Sequence, residues 1–333
     1  MSAIPYSVLD LAWYPATGSP QQALQHSLEL AQLAEANSYH RYWVAEHHNM
    51  QGVACCSTSL LLAHIGARTS RIRIGSGGVM LPNHPPLLIA EQFGTLSCLY
   101  PGRIDLGLGR APGTDGLTIR ALRRPIQQPS DQFPKDIMEL QHYFTGNEQN
   151  RVRAIPAENQ QVPLWILGSS TYGAQVAALL GLPFVFATHF APMMWQQARD
   201  IYQTEFQPSA QCKEPYFITC VHLYCAEDEC QAKLDSTTLA QLFYGLHSGN
   251  PGPLCQPDAD FMNRIPAPQQ VQVEQAMQFS CIGNPGQVKQ QLRNLAELTR
   301  ADEIMIAAPY SDYQSRLEAY RLAADNNPHM LKH

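Results

Sequence analysis

The stretch "IRIGSGGVMLPNHPPLLIAEQFGTLSCLYPGRIDLGLG", residues 72–109, decides the fold. Its first part, 72–79, is a short apolar and β-branched run that reads as a buried strand and ends in Gly75, Gly77 and Gly78. Residues 85–100 begin with two prolines and read as the helix that follows it. Residues 103–109 return to a strand, again glycine-rich at its end. A buried strand, a helix and a second buried strand are the repeating unit of a parallel sheet.

The same alternation extends in both directions. Upstream, 6–13 and 42–45 read as strands, 19–38 as a helix with Ser19 as N-cap and Pro20 in its first turn, and a second helix falls around 57–68. Downstream, strands at 163–168, 183–187, 215–226 and 302–309 are separated by amphipathic stretches, including 131–144, 169–181 and 192–206, and a last helix lies near 312–324. Eight strands, each leading into a helix, predict an α/β fold: a single parallel (β/α)8 TIM barrel filling residues 1–333. A bare barrel takes about 250 residues. The surplus is expected as insertions near 110–130 and 245–280, both read as long loops at the C-terminal face, where barrel active sites lie.

Composition narrows the function. The 22 basic and 28 acidic side chains give a formal charge of −6 with no basic cluster, which speaks against nucleic acid. No apolar run reaches the roughly 18 residues of a membrane span, and no secretory leader is visible, so a cytoplasmic location is expected. Nine scattered cysteines, with no CxxC repeat, read as reduced thiols.

Four clusters fall at predicted strand ends. In "RYWVAEHHN", residues 41–49, Glu46, His47 and His48 follow the second strand. Successive side chains there point in opposite directions, so His47 is expected to face the cavity and His48 the shell. Adjacent residues at a strand end reach one ion poorly and no HxH or HExxH accompanies them, so no metal is expected. The third strand ends in Gly77 and Gly78, which allow a flat ligand close to the backbone or merely a kink. Arg110 at the fourth suits a phosphate or carboxylate, or is a surface arginine. Ser169 and Ser170 open the helix after the fifth, an anion site or an ordinary N-cap. Each signal has a bland reading; together they outline a pocket for a planar, phosphorylated ligand beside a titratable group.

"YWVAEHHN" (42–49), "IRIGSGGVMLPNHPPLLIAEQFGTL" (72–96), "YPGRIDLGLGRAPG" (100–113) and "ILGSSTYGAQVAALLGLPFVFATHF" (166–190) resemble the bacterial luciferase-like monooxygenase family, in its non-light-emitting branch. The resemblance implies reduced FMN delivered by a separate NAD(P)H:flavin reductase, O2 as co-substrate, and oxygenation of a small organic substrate through a C4a-peroxyflavin; a homodimer is expected. It implies that His47 is the catalytic histidine, that a cis Gly77–Gly78 peptide lies against the isoalloxazine, and that Arg110, Ser169 and Ser170 contact the phosphate. Trp13, Tyr14, Met80 and the 245–280 insertion are expected to wall the pocket. A deazaflavin-dependent hydride-transfer enzyme and a flavin-binding protein without turnover are the alternatives.

Overall fold

Nine parallel strands form one sheet that closes on itself: β1 (Tyr6–Asp10), β2 (Arg41–Val44), β3 (Arg73–Met80), β4 (Ile104–Gly109), β5 (Leu164–Gly168), β6 (Phe184–Phe186), β7 (Phe217–Cys225), β8 (Ser280–Gly283) and β9 (Glu303–Ala307). The helices are α1 (Pro20–Ala36), α2 (Thr58–Gly66), α3 (Pro86–Leu99), α4 (Gly116–Ala121), α5 (Gln132–Thr145), α6 (Thr171–Leu180), α7 (Trp195–Glu205), α8 (Glu229–His247), α9 (Phe261–Arg264), α10 (Ala267–Ala276), α11 (Pro285–Thr299) and α12 (Tyr313–Asp325). This is a computed structural model, and it describes residues 4–111, 115–122, 132–146, 149 and 151–325.

The barrel staves run β1 to β7 in order and then β9, which pairs with both β7 and β1. Strand β8 is an addition that sequence reading did not foresee. His222 of β7 pairs with Ala307 on one side and Ser280 on the other, so β8 lies on the flank of β7 that the three-residue β6 leaves open. The 245–280 segment also differs from the loop expected, since it holds the end of α8, all of α9 and α10, and the start of β8. Pro266 caps α10, and Ile265, Val273, Ala276 and Phe279 are its buried anchors. Of the 110–130 insertion, 116–121 forms α4, capped by Asp115, while 112–114 and 123–130 lie outside the described residues.

Strand alternation sorts the apolar side chains into two layers. Leu9, Trp43, Ala45, Trp165, Val185, Ile218, Cys220, Met305 and Ala307 fill the barrel. Val8, Tyr42, Val44, Ile74, Leu106 and Ile166 belong to the larger layer beneath the helices. The N-terminal end of the barrel is closed by charge. Arg41 donates from Nε and Nη2 to the two oxygens of Glu303 (2.9 and 3.0 Å) and from Nη1 to Asp105 (2.9 Å), with its guanidinium 4.4 Å from the centre of a Trp165 ring. Arg73 and the Trp43 indole N–H also donate to Asp105, and Ser7 and Tyr216 to Glu303. This floor closes that end of the barrel to a ligand.

None of the nine cysteines is in a disulfide, and no helix among the described residues is long and apolar enough to cross a membrane.

Candidate active site

The last ladder pair between β2 and β3 is Val44↔Ser76. Beyond it the chain stays pinned: the N–H groups of Ala45, Glu46 and His47 donate to Asp10 O, Gly78 O and Cys55 O at 3.0, 3.1 and 2.9 Å. Trp43 and Ala45 fill the barrel, so alternation turns His47 inward and Glu46 and His48 outward. His47 is half-buried, and neither of its ring nitrogens has a hydrogen-bond partner among the described residues. Burial lowers its pKa, the neighbouring His48 lowers it further, and Glu46 only partly offsets them. A neutral imidazole with no competing partner is free to accept a proton at neutral pH.

Glu46, 2% exposed, lies at the centre of a cluster on the outer side. Its Oε1 is 2.7 Å from His48 Nε2 and 2.9 Å from His84 Nε2; its Oε2 is 3.0 Å from the same His84 nitrogen and accepts the Met80 N–H at 2.9 Å. Burial alone would raise the Glu46 pKa, but His84, His48 and the Met80 amide together hold it below the ordinary carboxylate value. Glu46, His48 and His84 each place a ligand atom within 4.8 Å of the others, a spacing that metal sites also use. Sequence reading expected no metal here and did not single out His84; the imidazoles are hydrogen-bonded to the carboxylate itself.

At the β3 exit the Gly77–Gly78 peptide is cis, and the β3–β4 register slips between Ser76 and Val79. A Cβ on Gly77 would stand 2.6 Å from Leu9 Cδ1 and 3.1 Å from Trp43 Cβ, and one on Gly78 2.8 Å from Gly107 O. Bare backbone therefore forms this part of the wall, and a side chain would have to displace its neighbours. Met80 leans over the end of β4, its Sδ 3.0 Å from where a Gly109 Cβ would be.

At the β4 exit Arg110 is exposed, and its guanidinium carbon lies 4.1 Å from the Tyr172 ring centre. Tyr172 is in the first turn of α6, so this stacking holds a cation beside that helix's N-terminus. Ser170 is the N-cap in extended conformation, and its hydroxyl makes no capping hydrogen bond; Ser169 beside it is exposed. Gly168 and Gly173 let the start of α6 sit against the end of β5, since a Cβ on either would be within 3.3 Å of the other's Cα. The stacking partner Tyr172 was missed in the sequence, where nothing marks a tyrosine in the first turn of a helix.

His47, Arg110 and Ser169–Ser170 thus follow β2, β4 and β5, and Gly77–Gly78 lie in the second half of β3, so all four groups fall on neighbouring strands towards one end of the barrel. Trp13 and Tyr14 border a cavity of about 210 Å³ with His26, Tyr310, Tyr313 and Arg316, between the starts of α1 and α12. The 245–280 segment reaches the rim through the Pro15–Leu254 bridge. On the far side of the barrel, the edge-to-face rings of His189 and His222 are 5.0 Å apart, and burial holds both in the neutral form, His189 with a pKa of about 4.

The sequence profile of the luciferase-like monooxygenases matches residues 6–302. The chain belongs to the luciferase-like monooxygenase family. It is 47% identical over 330 residues to a luciferase-like monooxygenase of Escherichia coli (strain K12), covering 98% of each chain. It is 30% identical over 329 residues to the N-acetyl-S-alkylcysteine monooxygenase of Bacillus subtilis (strain 168), covering 96% of this chain and 97% of that one. The solved structure of apo-MsnO8 matches with a TM-score of 0.89 at 34% identity, covering 97% of this chain and 98% of that one. As a luciferase-like monooxygenase, the protein has the barrel expected from its sequence.

Proposed function

We propose that the protein is the oxygenating component of a two-component flavin system, taking reduced FMN from a separate NAD(P)H:flavin reductase and using O2 to oxygenate a small organic substrate. The observation that carries this reading is the order of groups along the rim: an imidazole after β2 with no hydrogen-bond partner among the described residues, a bare-backbone wall on β3, and a cation beside a helix N-terminus after β4 and β5. Gly77 and Gly78 would take the flat ring against their backbone, which lies close to Leu9, Trp43 and Gly107 because neither residue has a Cβ. Arg110, Ser169, Ser170 and the N-terminus of α6 would take the phosphate. Bound reduced flavin supplies the two electrons that activate O2. The chain's own contribution is to hold the ring against the β3 exit, exclude water above the charged floor, and move one proton at His47.

Thioethers of the N-acetyl-S-alkylcysteine type are the first substrates to test, since the Bacillus subtilis relative carries that name. A homodimer belongs to the same reading. Leu60 on α2 and Leu88 and Leu99 on α3 are 72%, 42% and 58% exposed, which supports a second copy as their cover; a sedimentation experiment reads it.

The cofactor is tested by titrating FMN and riboflavin, oxidised and reduced, against the protein and Arg110→Ala. Reduced FMN is expected to bind tighter than riboflavin. Arg110→Ala should weaken FMN by about ten- to hundredfold, the loss of one hydrogen bond to a charged group, and leave riboflavin unchanged. Equal affinity of the native protein for the two flavins would remove the phosphate site, and binding of a deazaflavin in place of FMN would turn the reading to hydride transfer.

A further inference from the structure

Strand β3 outruns its partner. The β2 ladder stops at Val44↔Ser76, yet β3 continues to Met80, and on its other side the pairing with β4 slips between Ser76 and Val79. Residues 77 and 78 therefore sit where neither neighbouring ladder is regular. What takes over is a single residue. Glu46 donates its own N–H to Gly78 O and, two positions further on, accepts the Met80 N–H on its carboxylate. The carboxylate is in turn fixed by His48 from the β2 side and by His84, which follows the turn at 81–83 leading to α3. Asn83 approaches Oε1 at 3.4 Å.

We propose that Glu46 is the positioning residue of this site: its main chain and carboxylate together clamp the β3 exit to the β2 exit and so set where the Gly77–Gly78 wall and the His47 imidazole stand relative to each other. This rests on the flavin reading given above. Glu46 is next to His47 in the chain but faces the other way, so it acts through the frame and not on the reactants. Its value as a clamp comes from being ionised and buried: four donors converge on two carboxylate oxygens, and an amide in its place offers one acceptor oxygen and an NH2 that confronts donors. The loss of the clamp leaves half-buried donors unpaired on the β2 side of β3, beyond the last β2–β3 ladder pair.

The test uses the full chain and Glu46→Gln, with His84→Leu as the milder variant in case the first does not fold. Hydrogen exchange of peptides covering 77–84 is read without cofactor. Visible circular dichroism of bound flavin, substrate KM, kcat, and the ratio of product to hydrogen peroxide are read with it. Glu46→Gln is expected to exchange 77–84 at least about tenfold faster, to change the flavin dichroism, and to lower the product fraction about tenfold or more with KM little altered. His84→Leu should move each readout the same way by less. A role confined to stability would lower the melting temperature and leave dichroism and product fraction as in the native protein, and that result overturns the proposal. So does unchanged exchange at 77–84 in both variants. Stoichiometric uptake of Zn2+ by the native protein that Glu46→Gln abolishes would also overturn it, making the cluster a metal site. If the native protein binds no flavin while Glu46→Gln still frees 77–84, the clamp stands and the cofactor reading fails.

Discussion

Arg41→Leu is expected to lower the unfolding free energy by about 3–5 kcal/mol, the usual consequence of removing one partner from a buried ion cluster. Arg41 is 3% exposed, and both Glu303 and Asp105 are fully buried. With leucine at 41, Glu303 loses both of its guanidinium bonds, and Asp105 keeps the Trp43 indole N–H and one cation, Arg73, whose side chain is 27% exposed. Arg73→Ala should cost much less, because Arg41 still meets Asp105 and because a partly solvated charge contributes on the order of 1 kcal/mol. The sign of the pH dependence follows from Asp105. Burial would raise its pKa, but Arg41 and Arg73 together pull it below the ordinary value. Its contribution is therefore complete above the unfolded pKa of about 3.9 and is lost as pH falls through the lower folded value. In Arg41→Leu the opposite holds, since protonation relieves uncompensated negative charge, and the deficit against the native protein should narrow from pH 7 towards pH 4. Urea unfolding at several pH values reads both effects. A deficit under about 1 kcal/mol at pH 7 would mean that the floor is no stronger than a surface pair.

The eight barrel staves are legible because a parallel sheet buries both faces of every strand, so each appears as an unbroken apolar run between turn signals. Strand β8, Ser280–Gly283, has only Cys281 and Ile282 between a serine and a glycine and buries only alternate residues, so no apolar run marks it. Helices α4 and α9 bury no side chain and α10 buries only Val273 and Ala276, so the hydrophobic period that reveals a helix is missing from them. The expectation that the two histidines face opposite ways could be written from the sequence because strand alternation is local. The role of Glu46 could not, because its partners Met80, Asn83 and His84 lie 34 to 38 positions away and no spacing rule links them. His84 is visible in "LPNHPP" only as a histidine among three prolines. Local geometry is written in local sequence; a clamp between two strand exits exists only once the barrel has closed.

The largest functional effect is expected at His47. If its inward imidazole moves the proton in the oxygenation, His47→Ala should keep reduced FMN bound within a few-fold, because the ring wall and phosphate cradle proposed above lie on β3, β4 and β5 and not at His47. Product formation should fall by about 10²–10⁴, the usual contribution of a positioned acid or base, while O2 is still consumed and leaves as hydrogen peroxide. His47→Gln should do the same, since an amide keeps polarity but carries no titratable proton. Burial and His48 both lower the His47 pKa, so the native product fraction should hold at neutral pH and fall only below the ordinary imidazole range, as the ring becomes charged. His48→Ala removes one of the donors that hold Glu46 and should lower the melting temperature, with a stability loss on the order of 1 kcal/mol, and reduce the product fraction far less than His47→Ala. The measurement is the ratio of product to peroxide for each variant across pH, with the melting temperature alongside. A fully coupled His47→Ala beside an uncoupled His48→Ala would assign the proton to the second imidazole and reverse the roles that alternation along β2 gives them.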